Sequence, residues 1–194
     1  MRPTFLSMAF AAVLSAGVAA GPALADPANT MVLELTGGEV EVLLRPDLAP
    51  QHVEQIKTLV REGAYDNVAF HRVIEGFMAQ TGDVQYGDME EGYNSQLAGT
   101  GGSQLGNLPA EFSAEPFVRG TVGMARAQDP NSANSQFFIM FAPAAPLDNN
   151  YTVVGQVVSG MEHVDAIKRG NPAANGSVTD PDRIISAHIA ADGQ

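Results

Sequence analysis

The side chain with the clearest chemical potential in this sequence is an arginine inside a short apolar segment. The segment runs from Phe70 to Asp83 and reads F-H-R-V-I-E-G-F-M-A-Q-T-G-D. Its alternation predicts two short strands joined by a turn at Glu75-Gly76. One face of the first strand then carries Phe70, Arg72 and Ile74, and one face of the second carries Met78 and Gln80. A cation among apolar side chains needs a partner, so Arg72 is either exposed, paired for structural reasons, or part of a site.

A second segment gives this arginine a context. It runs from Gly120 to Phe141 and reads G-T-V-G-M-A-R-A-Q-D-P-N-S-A-N-S-Q-F-F-I-M-F. The two segments resemble the two signature regions of the cyclophilin family of peptidyl-prolyl cis-trans isomerases, in the same order and with similar spacing. The similarity extends from Met31 to about Ala190. Two long matching segments are a far stronger signal than a short motif.

The resemblance implies a complete site around Arg72, which takes the position of the catalytic arginine. The positions that hold the proline ring are Phe77, Met78, Phe138 and Leu147. Gln80 and Gln136 take the positions that contact the peptide and orient the arginine. Ala125 and Arg126 take positions on the groove wall. Strand alternation independently favours Met78 and Phe138 as surface-site residues. The implied substrates are proline-containing, extended or partly unfolded chains, and no cofactor is implied.

Three positions depart from the family pattern. Pro146 stands where the family usually has an aromatic residue, so one ring contact is missing. Tyr151 replaces a histidine and keeps a ring with a polar tip, so we expect it to contact substrate and activity to survive. Arg126 replaces an asparagine on the groove wall and places a cation there, which favours acidic peptides.

Arg72 suits prolyl isomerisation because no bond has to be broken. Rotation about an X-Pro bond crosses a barrier of roughly 18–20 kcal/mol, since it destroys amide resonance. In the twisted state the proline nitrogen gains a lone pair, to which a fixed guanidinium can donate a hydrogen bond. A charge-assisted hydrogen bond contributes about 1.5–3 kcal/mol, which corresponds to about ten- to a hundredfold in rate. No proton is transferred, so the neighbouring His71 needs no acid-base role.

The remaining sequence predicts an exported, single-domain protein. Residues 1–25 have the features of a signal peptide, with Arg2, an apolar run and an Ala23-Leu24-Ala25 cleavage site. Residues 26–30 are then a short linker and residues 31–194 the isomerase domain. The chain has no cysteine, which together with export favours a bacterial periplasm. A net charge of −12 argues against nucleic acid and anionic membranes as partners, and we expect a monomer.

Hydrophobic periodicity predicts a mainly β fold. Strands are predicted at 31–35, 39–44, 120–127, 136–141, 151–158 and 184–190, with a hairpin turn at Gly37-Gly38, a helix at 51–62 and a second helix that Gly170 terminates. Many short strands with two helices favour a closed antiparallel barrel with a helix over each end, and the resemblance implies eight strands. The long polar loop 84–108 is predicted to border the site.

Two other classes of function are compatible with an exported chain of this size. A cyclophilin scaffold could serve as a peptide-binding or chaperone module with little turnover, but such a module has no need of the arginine. A hydrolase would need a nucleophile arrangement that the serines and acids do not form. The four histidines, His52, His71, His163 and His188, lack metal-ligand spacing, so no metal site is predicted.

Overall fold

The computed structural model describes residues 26–193, so the predicted signal peptide lies outside the described residues. The α-helices of this part are α1 (Pro50–Arg61) and α2 (Met161–Asp165). The strands are β1 (Thr30–Leu35), β2 (Gly38–Leu44), β3 (Arg72–Ile74), β4 (Met78–Thr81), β5 (Thr121–Met124), β6 (Phe137–Met140), β7 (Val153–Ser159) and β8 (Ser186–Ile189). In this region no helix combines the length and apolar character needed to cross a bilayer.

The eight strands form one antiparallel sheet in the order β3-β4-β6-β5-β7-β2-β1-β8. The predicted mainly β fold and strand count are therefore confirmed, but the sheet is not closed by a strand ladder. Its end strands β3 and β8 are linked only near their starts, where Ala69 forms an isolated bridge with Arg183. The Phe70 amide donates to the Asp182 carbonyl at 2.8 Å in the same place. These contacts involve residues outside β3 and β8, so the seam is too short to form a ladder.

The sheet separates two apolar clusters, and β6 shows how. Phe137 and Ile139 point into the main core, which also contains the buried faces of α1 and α2. Phe138 and Met140 point the other way into a second cluster. This alternation follows from the period of two along a strand, so one face of β6 stabilises the fold while the other is free to build a site.

The first predicted strand is shorter than its pattern indicates. β3 begins at Arg72, and Phe70 belongs to the main core rather than to the face of Arg72. The prediction of one shared face was therefore wrong for Phe70. The cause is tertiary, because the backbone at residues 70 and 71 is hydrogen bonded to Asp182 and Val178 instead of extending the β3 ladder.

Helix α2 also ends earlier than its apolar stripe indicates. It stops at Asp165 with Ala166 as its C-cap, so the prediction of Gly170 in that role was wrong. The backbone amide of Lys168 donates to the Asp182 carboxylate at 2.7 Å, and that of Gly170 donates to the Val73 carbonyl at 2.9 Å. These partners take the amides that a longer helix would use, and they bring the 170s loop beside β3.

A carboxylate from a distant loop caps helix α1. Glu111 accepts hydrogen bonds from the backbone amides of Gln51 at 3.2 Å and His52 at 3.1 Å, and its Oε2 lies 2.6 Å from His52 Nδ1. Burial raises the pKa of Glu111, but the hydrogen bonds from His52 and Gln51 outweigh it, and the pKa lies below its ordinary value. The charged form therefore contributes to stability.

We expect the substitution Glu111→Gln to lower the free energy of unfolding at pH 7 by about 1 kcal/mol, the usual magnitude for a lost charged cap. A carboxyl whose pKa is lowered by folding stabilises above its unfolded pKa of about 4.3, and this contribution is lost as pH falls through the folded pKa. The difference between the two proteins should thus be smaller at about pH 3 than at pH 7. Urea unfolding at both pH values tests this, with Glu115→Gln as control; an equal difference at both would contradict it.

Candidate functional site

The site lies across three neighbouring strands. In the sheet register Arg72 of β3 is opposite Gln80 of β4, and Gln80 is opposite Phe138 of β6. The next row on the same face joins Ile74 to Met78. A rigid hairpin thus carries the cation, and the adjacent strand carries the aromatic ring beside it.

Arg72 is held by neutral acceptors. Its Nη1 donates to Gln80 Oε1 at 3.1 Å, its Nε to the Asn175 backbone carbonyl at 3.0 Å and its Nη2 to Asn175 Oδ1 at 3.0 Å. Burial lowers the pKa of Arg72, and the charge interaction with Tyr151 opposes this. The guanidinium nevertheless stays protonated at neutral pH, because the ordinary pKa of arginine lies far above neutrality. The result is an oriented cation whose charge is not cancelled by a neighbouring acid within residues 26–193.

A chain of amides fixes the orientation of Gln80. Its Nε2 donates to Gln136 Oε1 at 3.0 Å, and Gln136 Nε2 donates to the Gly101 carbonyl at 2.8 Å. Gly101 is itself fixed, because the buried Asp83 carboxylate accepts its amide at 2.9 Å and that of Gly99 at 2.7 Å. The loop that was predicted to border the site is therefore fixed beside it by Asp83, two residues after the end of β4.

A cavity of about 170 Å³ opens beside Arg72, and we call it the apolar cavity because six of its nine lining residues are aliphatic or aromatic. Phe138 stacks on Phe117 with ring centroids 5.8 Å apart, and Tyr151 meets Phe138 edge-on at 5.9 Å. Gly123 leaves room for this stack, since a Cβ there would lie 2.5 Å from Phe117 and 2.7 Å from Phe138. The cavity can hold one small apolar ring within reach of the arginine.

Most of the residues singled out from the sequence converge on this cavity. Its lining consists of Arg72, Phe77, Met78, Gln80, Ala125, Arg126, Phe138, Leu147 and Tyr151. Gln136 instead lines a neighbouring polar cavity of about 560 Å³, which shares Gln80, Ala125 and Arg126 with the first. The exposed Pro146 lines neither.

Comparison with known proteins decides the family. The family model for cyclophilin type peptidyl-prolyl cis-trans isomerases matches residues 30–189. This chain belongs to the cyclophilin family. A relative from Brucella suis, described as a probable peptidyl-prolyl cis-trans isomerase, is 62% identical over 192 residues that cover 99% of this chain and 97% of the relative. This cyclophilin therefore matches its family over nearly all of the residues that the structure describes. The family predicted from the two sequence segments is confirmed.

Solved structures agree on the fold. A cyclophilin from Hirschia baltica matches with a TM-score of 0.72 and 28% identity, covering 87% of this chain and 76% of that one. A cyclophilin from Cryptosporidium parvum, solved in the presence of the dipeptide Ala-Pro, matches with a TM-score of 0.69 and 23% identity over 82% of this chain and 98% of that one. At that identity the second likeness supports the fold alone.

Arg126 adopts a specific position in this cyclophilin. Its Nη1 donates to the Ala127 and Gln128 carbonyls at 3.0 and 3.3 Å, and its Nη2 donates to the Asn150 carbonyl at 3.0 Å. Its guanidinium carbon lies 4.4 Å from the centroid of the Tyr151 ring. Two of the three departures from the family pattern are therefore in direct contact, as a cation stacked on an aromatic ring.

His71 lies next to Arg72 but is structurally separate from the cavity. The ring is buried and packs close to Gly99, and neither nitrogen has a hydrogen-bond partner among residues 26–193. Burial lowers the pKa of His71, with a smaller opposing effect from Asp83. A neutral, buried imidazole agrees with a reaction that moves no proton.

Two contributors to the site were missed in the sequence. Phe117 forms the floor beneath Phe138, and Asn175 holds Arg72 through both its carbonyl and its side chain. Asn175 had one local signal, since an Asn-Gly pair favours a left-handed turn, and its φ is 52°. Phe117 had none, because its segment shows no regular periodicity.

The substitution Asn175→Gly tests the positioning of Arg72. Glycine keeps the left-handed backbone and the carbonyl that accepts from Nε, and it removes only the Oδ1 acceptor of Nη2. We expect kcat/KM on an X-Pro peptide to fall about three- to tenfold, which is less than the full value of a charge-assisted hydrogen bond, because two other hydrogen bonds still orient Arg72. Asn175→Asp keeps an acceptor but places a carboxylate beside Arg72, so it should also lose activity, because part of the positive charge is cancelled. Full activity in the glycine variant would contradict this role.

Proposed function

We propose that this cyclophilin accelerates rotation about X-Pro bonds in exported proteins as they fold, and that Arg72 stabilises the twisted amide. One observation carries the proposal: an oriented guanidinium lies at an apolar cavity sized for a small ring. The family supplies the reaction.

The hydrogen bonds of Arg72 leave donors for substrate. A guanidinium has five N–H groups, and its bonds to Gln80 and Asn175 use one on each nitrogen. Each terminal nitrogen thus keeps one N–H, and that of Nη1 has only the weak acceptor Met78 Sδ at 4.0 Å. A proline ring in the cavity would present its nitrogen to these donors as the bond twists. Because the donors are already oriented, they favour the twisted state without reorganisation.

The proposed location is the periplasm, reached by cleavage of the leader after Ala25. Support comes from the first described residues, where Asp26 caps the 3₁₀ turn Pro27–Asn29 and Thr30 begins β1. Cleavage after Ala25 would leave the capped turn and strand β1 intact. N-terminal sequencing of the protein from a periplasmic fraction should read Asp-Pro-Ala; a cytoplasmic protein that keeps Met1 would contradict the proposal.

A refolding experiment tests the biological role. An exported protein whose refolding is limited by proline isomerisation has a slow phase of tens to hundreds of seconds. We expect catalytic amounts of this cyclophilin to shorten that phase, and Arg72→Ala to shorten it far less. A higher refolding yield at an unchanged rate would instead support the binding-module alternative.

A further inference from the structure

Two cations, Arg72 and Arg126, line the apolar cavity. In a chain with 22 acidic and 10 basic residues, cations are expected to find carboxylate partners. Six do so among the described residues, each with a carboxylate oxygen within 4.0 Å: Arg45, Arg61, Arg119, Lys168, Arg169 and Arg183. Arg72 and Arg126, which both line the apolar cavity, have no such partner within residues 26–193. The site thus keeps a positive local charge on an acidic protein.

Arg126 is placed to act on more than the proline. It lines both the apolar cavity and the larger polar cavity, and among residues 26–193 it is the only charged side chain that lines the latter. The other polar groups there are amides and hydroxyls, including Gln85, Ser103 and Asn107. Asp83 lies nearby but is buried, with its oxygens occupied by backbone amides. An anionic group in the polar cavity would meet one cation and neutral donors.

The guanidinium of Arg126 is fixed rather than free. Three backbone carbonyls and the Tyr151 ring hold it, and neutral carbonyls orient the group without removing its net charge. A fixed charge in a partly enclosed site interacts more strongly with a ligand charge than a mobile surface cation does, because less solvent screens it and less side-chain entropy is lost.

We propose that Arg126 makes this enzyme select substrate chains with Asp or Glu close to the isomerised proline. The acidic residue would lie on whichever side of the proline, before or after it, occupies the polar cavity. This selectivity rests on the proposed isomerase function. A carboxylate there gains attraction from Arg126 and hydrogen bonds from the amides, whereas a lysine is repelled. Because the attraction persists in the transition state, it raises kcat/KM.

The test uses proline peptides with Glu, Gln or Lys two or three residues before the proline or, in a second set, after it. We expect kcat/KM to follow Glu > Gln > Lys in one set, with Glu over Gln by about three- to tenfold at low salt and less at high salt. The Glu-to-Gln ratio should fall to about one in Arg126→Gln and remain partly in Arg126→Lys. The ratio is the readout, so a general loss of activity in a variant does not affect it.

The outcomes separate the selectivity from the function. Equal acceleration of all peptides, or a salt-independent ratio, would overturn the selectivity and leave the isomerase standing. A ratio that survives in Arg126→Gln would overturn the role of Arg126. If Arg126→Gln does not fold, the wild-type series, its salt dependence and Arg126→Lys decide the matter. Acceleration of no peptide by the folded wild type would overturn the proposed function and the selectivity with it.

Discussion

Replacing Arg72 with alanine is expected to lower kcat/KM for an X-Pro peptide by about ten- to a hundredfold. The substitution removes the donors that face the cavity and leaves Gln80 and Asn175 without their shared partner. Arg72 is half-buried and lies in an end strand of the sheet, so the fold should persist. A coupled peptide assay measures the rate, and urea unfolding verifies that the variant is folded.

Two further variants show whether the effect is specific to the charge and the shape of Arg72. Arg72→Lys keeps the charge but not the planar set of donors, so we expect it to recover only part of the activity. Arg61→Ala removes an exposed arginine that pairs with Asp192 and lines neither cavity of the site, so it should leave the rate unchanged. Wild-type activity in Arg72→Ala would exclude the proposed mechanism, even if the enzyme itself remained.

The substitution Phe138→Ala is expected to have the second-largest effect. It removes the ring that lines the proline cavity and stacks on Phe117, and it leaves a void in a well-packed cluster. Loss of a buried phenylalanine ring costs about 3–5 kcal/mol of folding free energy. We also expect kcat/KM to fall by at least tenfold, because the proline ring loses its apolar contact and is no longer held against the arginine.

The neighbouring residue provides a control for Phe138. Phe137 is equally part of β6 but points into the main core, where it meets Tyr65 edge-on at 5.4 Å. Phe137→Ala should lose comparable stability while retaining activity at a temperature where both variants are folded. Equal losses of activity in the two variants would show that the effect of Phe138 is structural and not due to contact with substrate.

The local pattern of the sequence was enough to place much of the site. Alternation puts Met78 and Gln80 on one face of β4 and Phe138 and Met140 on one face of β6, and the structure shows these faces adjacent. These predictions depend only on the period of a strand and on neighbouring segments. The identity of the proline-holding residues came from the family resemblance, and the structure collects them around one cavity.

The remaining features depend on contacts that are distant in sequence. Asn175 reaches Arg72 because Gly170 and Gly176 bond to the backbone of Val73, which no local pattern encodes. The same contacts end α2 early. The sheet fails to close because Ala69 and Arg183, which link its two ends, form a single bridge before β3 and β8 begin. Periodicity predicts the helices and strands. It does not predict which backbone amides at their ends bond to partners that are distant in sequence.

The most direct test of the account is exchange spectroscopy on a short Ala-Pro peptide with a small amount of the folded protein beginning at Asp26. Uncatalysed exchange takes tens to hundreds of seconds and gives no cross-peaks between the cis and trans signals. We predict clear exchange cross-peaks with the wild type and a strong reduction with Arg72→Ala. Peptide signals that shift on binding but show no exchange would contradict the account and indicate a binding module.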